Sequence, residues 1–250
     1  MCVFSVAYRT VTGCPILLLT NRDESTARPT RPPQAFPATS GDVRWFGGTD
    51  ARAGGTWLGI NQHGLIAAIT NRKKEPAPIN PRSRGLLCRD MMAFATADEA
   101  VQSLPDAWAR HVYAGFNLIV LAADSFWVFE AVDQPHATRL EPGIHTIGND
   151  SPETEGSPRD RRTHALVEQM LRGQQDWRPL IDRAKHVLST HAEGNQPAIC
   201  LHGEGWGTVG STVVALPEDL RQAQYHYAAG PPCRTPFVDY SRPLREIWAN

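Results

Sequence analysis

The chain has 250 residues, 41% hydrophobic and 20% charged, enough to bury a sizeable core, and the expectation is one domain over 1–250. Net charge is −1, and basic residues cluster only in "NRKK" (71–74) and "RDRR" (159–162), which argues against a nucleic-acid partner. No apolar run approaches the roughly 18 residues of a membrane span, the start does not read as a signal peptide, and the expected location is the cytoplasm.

Residues 3–8 are rich in β-formers, Thr12-Gly13 is a turn signal, and 15–20 is a second apolar run, so a hairpin is predicted. It ends in Asn21-Arg22-Asp23-Glu24. Alternation puts Cys2, Phe4, Val6 and Tyr8 on one face. Residues 28–37 hold four prolines and predict a loop or extended segment. Strands are predicted at 56–60 and 65–70 around the turn 61–64, then helices at 83–95 and 97–109. Residues 116–132 read as a hairpin of buried strands, and 143–149 as a short strand ending in a polar loop. Two helices follow at 158–172 and 177–191, the first with Pro158 in its opening turn. A last hairpin is predicted from 211–217 and 223–230. Strands and helices are segregated rather than strictly alternating, which favours antiparallel sheets in an α+β fold.

The five cysteines are Cys2, Cys14, Cys88, Cys200 and Cys233, an odd count without C-x-x-C spacing, and free thiols are expected. The nine histidines show no H-x-x-x-H or H-E-x-x-H grouping, so no metal site is expected. Cys2 carries the chemistry. Removal of Met1 would leave a thiol beside a free α-amine, with reference pKa values of about 8.5 and about 7.7–8.0. That amine can serve as base for its own side chain. The hairpin returns Arg22 and Asp23 to the same sheet edge, where a carboxylate can orient the ammonium and a guanidinium can lower the thiol pKa. Asn71 and Asn149 each end a predicted strand, and an Asn side-chain amide suits an oxyanion. A nucleophile with several polar strand ends describes an acyl-transfer site.

Cys2, "TNRDE" (20–24), the "GGTWLGIN" block within 54–71, "PRSRGLL" (81–87), "FNLIV" (116–120), "SPRDRR" (157–162) and "WGTVGST" (206–212) together resemble the NRDE family, also called transport-and-Golgi-organisation-2-like. The resemblance is collinear over nearly the whole chain. It implies an N-terminal nucleophile (Ntn) hydrolase-like fold, a four-layer αββα sandwich of two antiparallel sheets. It implies catalytic roles for Cys2 as nucleophile, for Arg22 and Asp23, and for Asn71 and Asn149 as oxyanion and amine-positioning groups. Asn21, Glu24 and Trp57, inside the same motifs, are the expected substrate-binding residues. Many members carry arginine where this chain has Val209.

Two functions are compatible with these residues. The first is an N-terminal-cysteine amidohydrolase or acyltransferase that acts on a small linear amide or acyl substrate through a Cys2 acyl-enzyme and needs no cofactor. The second is a carrier of haem or of a lipid or acyl-CoA ligand, for which His63, His145 and His202 are the conceivable haem ligands.

Overall fold

The computed structural model describes residues 2–36, 43–151, 156–174 and 176–249. In chain order its strands are β1 (Val3–Val11), β2 (Cys14–Ser25), β3 (Thr30–Phe36), β4 (Trp45–Asp50), β5 (Leu58–Asn61), β6 (Ile66–Asn71), β7 (Phe116–Leu121), β8 (Phe126–Ala131), β9 (His136–Arg139), β10 (Gly143–Ile147), β11 (Trp206–Leu216), β12 (Gln224–Ala228) and β13 (Val238–Asp239). The α-helices are α1 (Arg84–Asp90), α2 (Ala97–Gln102), α3 (Leu104–Arg110), α4 (Pro158–Leu171), α5 (Leu180–Leu188) and α6 (Ser241–Arg245). All strand pairings are antiparallel, and they make two sheets, as the α+β reading requires.

By internal contacts the chain divides into two compact units, 1–27 with 142–245, and 28–141 with 246–250. The first contains the six-stranded sheet β10-β1-β2-β11-β12-β13. β1 and β2 form the expected hairpin, with Gly13 at a φ of 69° in its turn, a conformation that glycine adopts without strain. β2 runs further than its apolar stretch. Its partner β11 pairs along it from Ile16 to Ser25, so Asn21-Arg22-Asp23-Glu24 lies inside a strand and not after one. One face of this sheet carries Ala7, Leu17, Leu19, Val213 and Ala215 against α4 and α5. α5 meets them with Leu180, Ile181, Ala184, Val187 and Leu188, a helical stripe. Burial of each such leucine contributes about 1.5–3 kcal/mol.

The second unit is a seven-stranded meander in the order β3-β4-β5-β6-β7-β8-β9. The proline-rich segment forms strand β3 up to Phe36; residue 37 lies outside the described residues. Pro32 and Pro33 fall where the β3–β4 register shifts, between Arg31 and Gln34, and β3 is an edge strand, the place where a missing N–H costs least. The helix predicted at 83–95 ends at Asp90 and continues only as a 3₁₀ turn, Met91–Ala93. The one predicted at 97–109 divides into α2 and α3 at Ser103. Leu87, Cys88, Met91, Ala100 and Leu104 pack on Ala67, Leu118, Val120 and Phe129. Two quoted motifs meet in this unit. A Cβ added to Gly55 would stand 2.2 Å from the backbone carbon of Gly85, while Thr56 N donates to Gly85 O at 2.9 Å.

Candidate functional site

The hairpin register fixes the neighbours of Cys2. Val3 pairs with Asn21, so one step outward Cys2 stands opposite Arg22. On its other side β1 pairs Phe4 with Ile147, the last residue of β10, and Asn149 follows two residues beyond that strand's end. β1 thus lies between β2, which carries Arg22, and β10, whose end leads on to Asn149. Cys2 is half-buried, and its Sγ approaches the main-chain carbonyl of Asp23 at 3.9 Å.

Alternation along β2 separates the polar tetrapeptide into two faces. Leu17 and Leu19 face the helices, and so do Asn21 and Asp23. Arg22 faces the opposite side with Cys2. It is 6% exposed and lies close enough to Tyr227 for its charge to offset part of the burial that pushes that phenol up to about 12.

The helix-side face holds a closed polar network. Asp23, its side chain fully buried, accepts from Arg159 at 2.6 Å on one oxygen and from the Thr208 hydroxyl at 2.6 Å on the other. Arg159 also donates to Ile199 O at 2.5 Å. The Asn21 amide donates to Leu188 O and Ile199 O, both at 3.0 Å, and its oxygen accepts from the Ser211 hydroxyl at 2.5 Å. The Thr208 hydroxyl in turn accepts from Leu201 N at 2.9 Å. Local sequence places each member. Ser157 caps α4 in a reciprocal box with Asp160, Pro158 follows, and Arg159 is thereby set in the first turn, pointing at β2. In β11 the register shifts between Thr208 and Gly210, and Thr208 and Ser211 both meet the helix-side residues of β2.

Burial is the largest influence on both titrating groups. It pushes the Asp23 carboxyl up, with Arg159 and Thr208 pulling the other way. It also pushes the Cys2 thiol above its ordinary 9.0, reinforced by the Asp23 charge, while the hydrogen bond to the Asp23 carbonyl and the Arg22 charge offset a part. A thiol so placed is protonated at neutral pH and needs a base before it can attack a carbonyl.

The first unit therefore contains Cys2, Asn21, Arg22, Asp23, Glu24 and Asn149, with Arg22 on the face of Cys2 and Asn21 and Asp23 on the helix-side face. Glu24, half-buried, accepts from Ser25 N at 2.8 Å. Met1 lies outside the described residues. Asn71 and Trp57 belong to the second unit. Asn71 closes β6 opposite Phe116, and Trp57 lies against Gly48, where a Cβ would stand 2.5 Å from its ring. Of the three histidines considered for haem, His63 is in the turn after β5, His145 is opposite Val6 on β10, and His202 is beside Cys200 and Cys233. Sequence reasoning missed Arg159, Thr208 and Ser211 as partners of the tetrapeptide. Their signal was present in "SPRDRR" and "WGTVGST", but not which face each residue takes.

Comparison with solved structures places this architecture. A Caenorhabditis elegans N-acylethanolamine-hydrolyzing acid amidase ortholog superposes with a TM-score of 0.55 at 18% identity, covering 85% of this chain and 92% of that one. A variant of conjugated bile acid hydrolase from Clostridium perfringens gives 0.59 at 12% identity over 99% and 94%. Penicillin V acylase from Agrobacterium tumefaciens gives 0.59 at 13% identity over 96% and 87%. The fold is that of the Ntn hydrolases. Among curated relatives, the Bos taurus Transport and Golgi organization protein 2 homolog is 28% identical over 231 residues, 82% of this chain and 83% of its own. The Mus musculus homolog is 29% identical over 141 residues, 54% of this chain and 50% of its own. The motifs spread from Cys2 to Thr212 fall within one continuous match to the family profile, residues 1–225, and by that match the chain belongs to the Transport and Golgi organisation 2 family.

Proposed function

We propose that the protein is an N-terminal-cysteine amidohydrolase or acyltransferase acting on a small linear amide or acyl substrate. The observation that carries this reading is the position of Cys2, half-buried at one end of a sheet beside β2 with its Arg22, and with β10, the strand that leads to Asn149, on the other side of β1. The Ntn-hydrolase fold supports it, because three proteins of that fold are by name an amidase, a hydrolase and an acylase.

Once Cys2 is the N-terminal residue, its α-amine takes the thiol proton. The thiolate attacks the substrate carbonyl, and the Asn149 amide donates to the oxyanion. Arg22 holds a carboxylate or carbonyl of the substrate on the same face. As the C–N bond breaks, the leaving amine takes the proton back from the ammonium, which leaves a thioester on Cys2. Water, or an acceptor amine or alcohol, then attacks the thioester, gives its proton to the α-amine and releases the acyl group. Asp23 works from behind. Fixed by Arg159 and Thr208, it holds the strand that carries Arg22 and supplies a negative charge near the ammonium.

The test is intact-mass analysis of the full chain before and after an electrophilic acyl probe, with turnover on a panel of N-acyl amides. The reading expects loss of Met1, one acyl adduct on Cys2, and turnover abolished by Cys2→Ala. Retention of Met1 in active protein, or full turnover by Cys2→Ala, overturns it. Asn71→Ala and Trp57→Ala, in the same assay, test the roles expected of those residues.

A further inference from the structure

A second cluster of reactive side chains lies outside this chemistry. Cys200, His202 and Cys233 stand close together: Cys200 Sγ is 3.6 Å from Cys233 Sγ and 3.6 Å from His202 Nε2, and His202 Nε2 is 3.2 Å from Cys233 Sγ. His191 completes the group, its ring edge-on to His202 at 5.3 Å, and the four candidate ligand atoms all lie within 4.8 Å of one another. Tetrahedral Zn²⁺ with bonds of about 2.0–2.3 Å puts its ligand atoms roughly 3.3–3.8 Å apart. Two of the three measured separations, both 3.6 Å, lie within that range, and the third, 3.2 Å, falls just short of it. Two thiolates and two imidazoles are the donor set that selects Zn²⁺ over harder divalent ions.

The ligands come from segments that other contacts already pin. Thr190 O, next to His191, accepts from both Ile199 N and Cys200 N at 2.9 Å. Ile199 O is held by Asn21 and Arg159. His202 forms a β-bridge with Gly207. Cys233 lies in a turn where Arg234 N and Thr235 N both reach Pro231 O. The region 191–205 has no helix or strand of its own beyond isolated bridges, so it is held by such single contacts and not by a continuous ladder.

We propose that His191, Cys200, His202 and Cys233 form a structural zinc site that clamps this segment to the turn after β12. Four protein ligands leave no open position, so the ion stabilises and does not catalyse. The proposal stands apart from the Cys2 chemistry and would survive its failure.

The full chain, purified under reducing conditions, is assayed for metal, stripped with a chelator and titrated with Co²⁺ alone. Expected are one zinc per chain, a thiolate-to-Co²⁺ charge-transfer band and the intense visible bands of a tetrahedral ion. Cys233→Ser should reduce the charge-transfer band, and His202→Asn should weaken binding by more than the about 10–100-fold that loss of a mere supporting hydrogen bond costs. Cys2→Ala should leave the spectrum unchanged. If a ligand variant fails to fold, the wild-type spectrum still decides, because only thiolate coordination gives the charge-transfer band. Failure of the reduced wild-type chain to bind Co²⁺ through thiolate overturns the proposal, as does a Cys233→Ser spectrum identical to wild type. A Cys200–Cys233 disulfide in the isolated protein, with no metal bound after its reduction, overturns it too.

Discussion

Arg159, in the first turn of α4, donates at 2.6 Å to an Asp23 carboxylate that has no exposed side-chain surface. The pair joins the most distinctive tetrapeptide in the sequence to a helix start 136 residues away.

Breaking this pair should be costly. Arg159→Met leaves a buried carboxylate without its cation and should lower unfolding free energy by about 3–5 kcal/mol, measured by urea denaturation. The double variant Arg159→Met with Asp23→Asn should lose less than the sum of the singles, since no uncompensated charge then remains. Additive losses would show that the two side chains do not act as a pair.

Thr208→Val removes one donor to the Asp23 carboxylate with little change of shape. A hydrogen bond to a charged group contributes about 1.5–3 kcal/mol, and a loss in that range is expected. A loss below about 0.5 kcal/mol would place the hydroxyl outside the network.

Cys2 should alkylate slowly at neutral pH in protein that retains Met1. Its rate should rise with a midpoint above 9.0, since burial and the Asp23 charge both disfavour the thiolate. Asp23→Asn, which removes the charge, should move the midpoint down. A wild-type midpoint below 9.0, read from iodoacetamide labelling, would contradict the environment described.

Cys14 supplies a pH dependence of stability. It is fully buried, its Sγ–H donates to Ile16 O at 3.2 Å, and burial raises the thiol from its ordinary 9.0 to about 12. The folded state therefore holds this proton more tightly than the unfolded chain does. Its contribution is intact below pH 9 and is lost as pH rises through about 12. Cys14→Val should flatten the alkaline fall in thermal midpoint between these limits. An unchanged slope would assign the fall to other groups.

Gly55→Ala should destabilise by about 1–3 kcal/mol or more, because its new methyl would meet the Gly85 backbone, which no side-chain rotation can relieve. Gly85→Ala, whose nearest contact is 3.1 Å, should cost less.

Much of this was legible beforehand. The apolar runs and turn glycines around Gly13 and Gly64 specified hairpins, and the Ser157-Pro158 start announced α4. Two things were hidden. Strand length was one: Asn21, Arg22 and Asp23 read as a polar strand end, yet β11 extends the sheet across them and buries all three. Facing was the other. Adjacent residues in a strand point apart, so Arg22 and Asp23 could not be assigned to one site from their adjacency. The zinc ligands escaped motif reading because His202 and Cys233 lie 31 residues apart and meet only through tertiary structure.

The register shift in β11 has an evolutionary corollary. Thr208 and Ser211 are three positions apart, an odd interval that would send them to opposite sides of a regular strand, yet they serve Asp23 and Asn21, which are two apart. Val209, half-buried, is the extra residue of this bulge and works as a spacer. Replacing it with another residue leaves the register of β11 intact. Deleting it would put the strand out of phase and unhook one hydroxyl from its partner, so lineages should vary the letter at this position but keep the count.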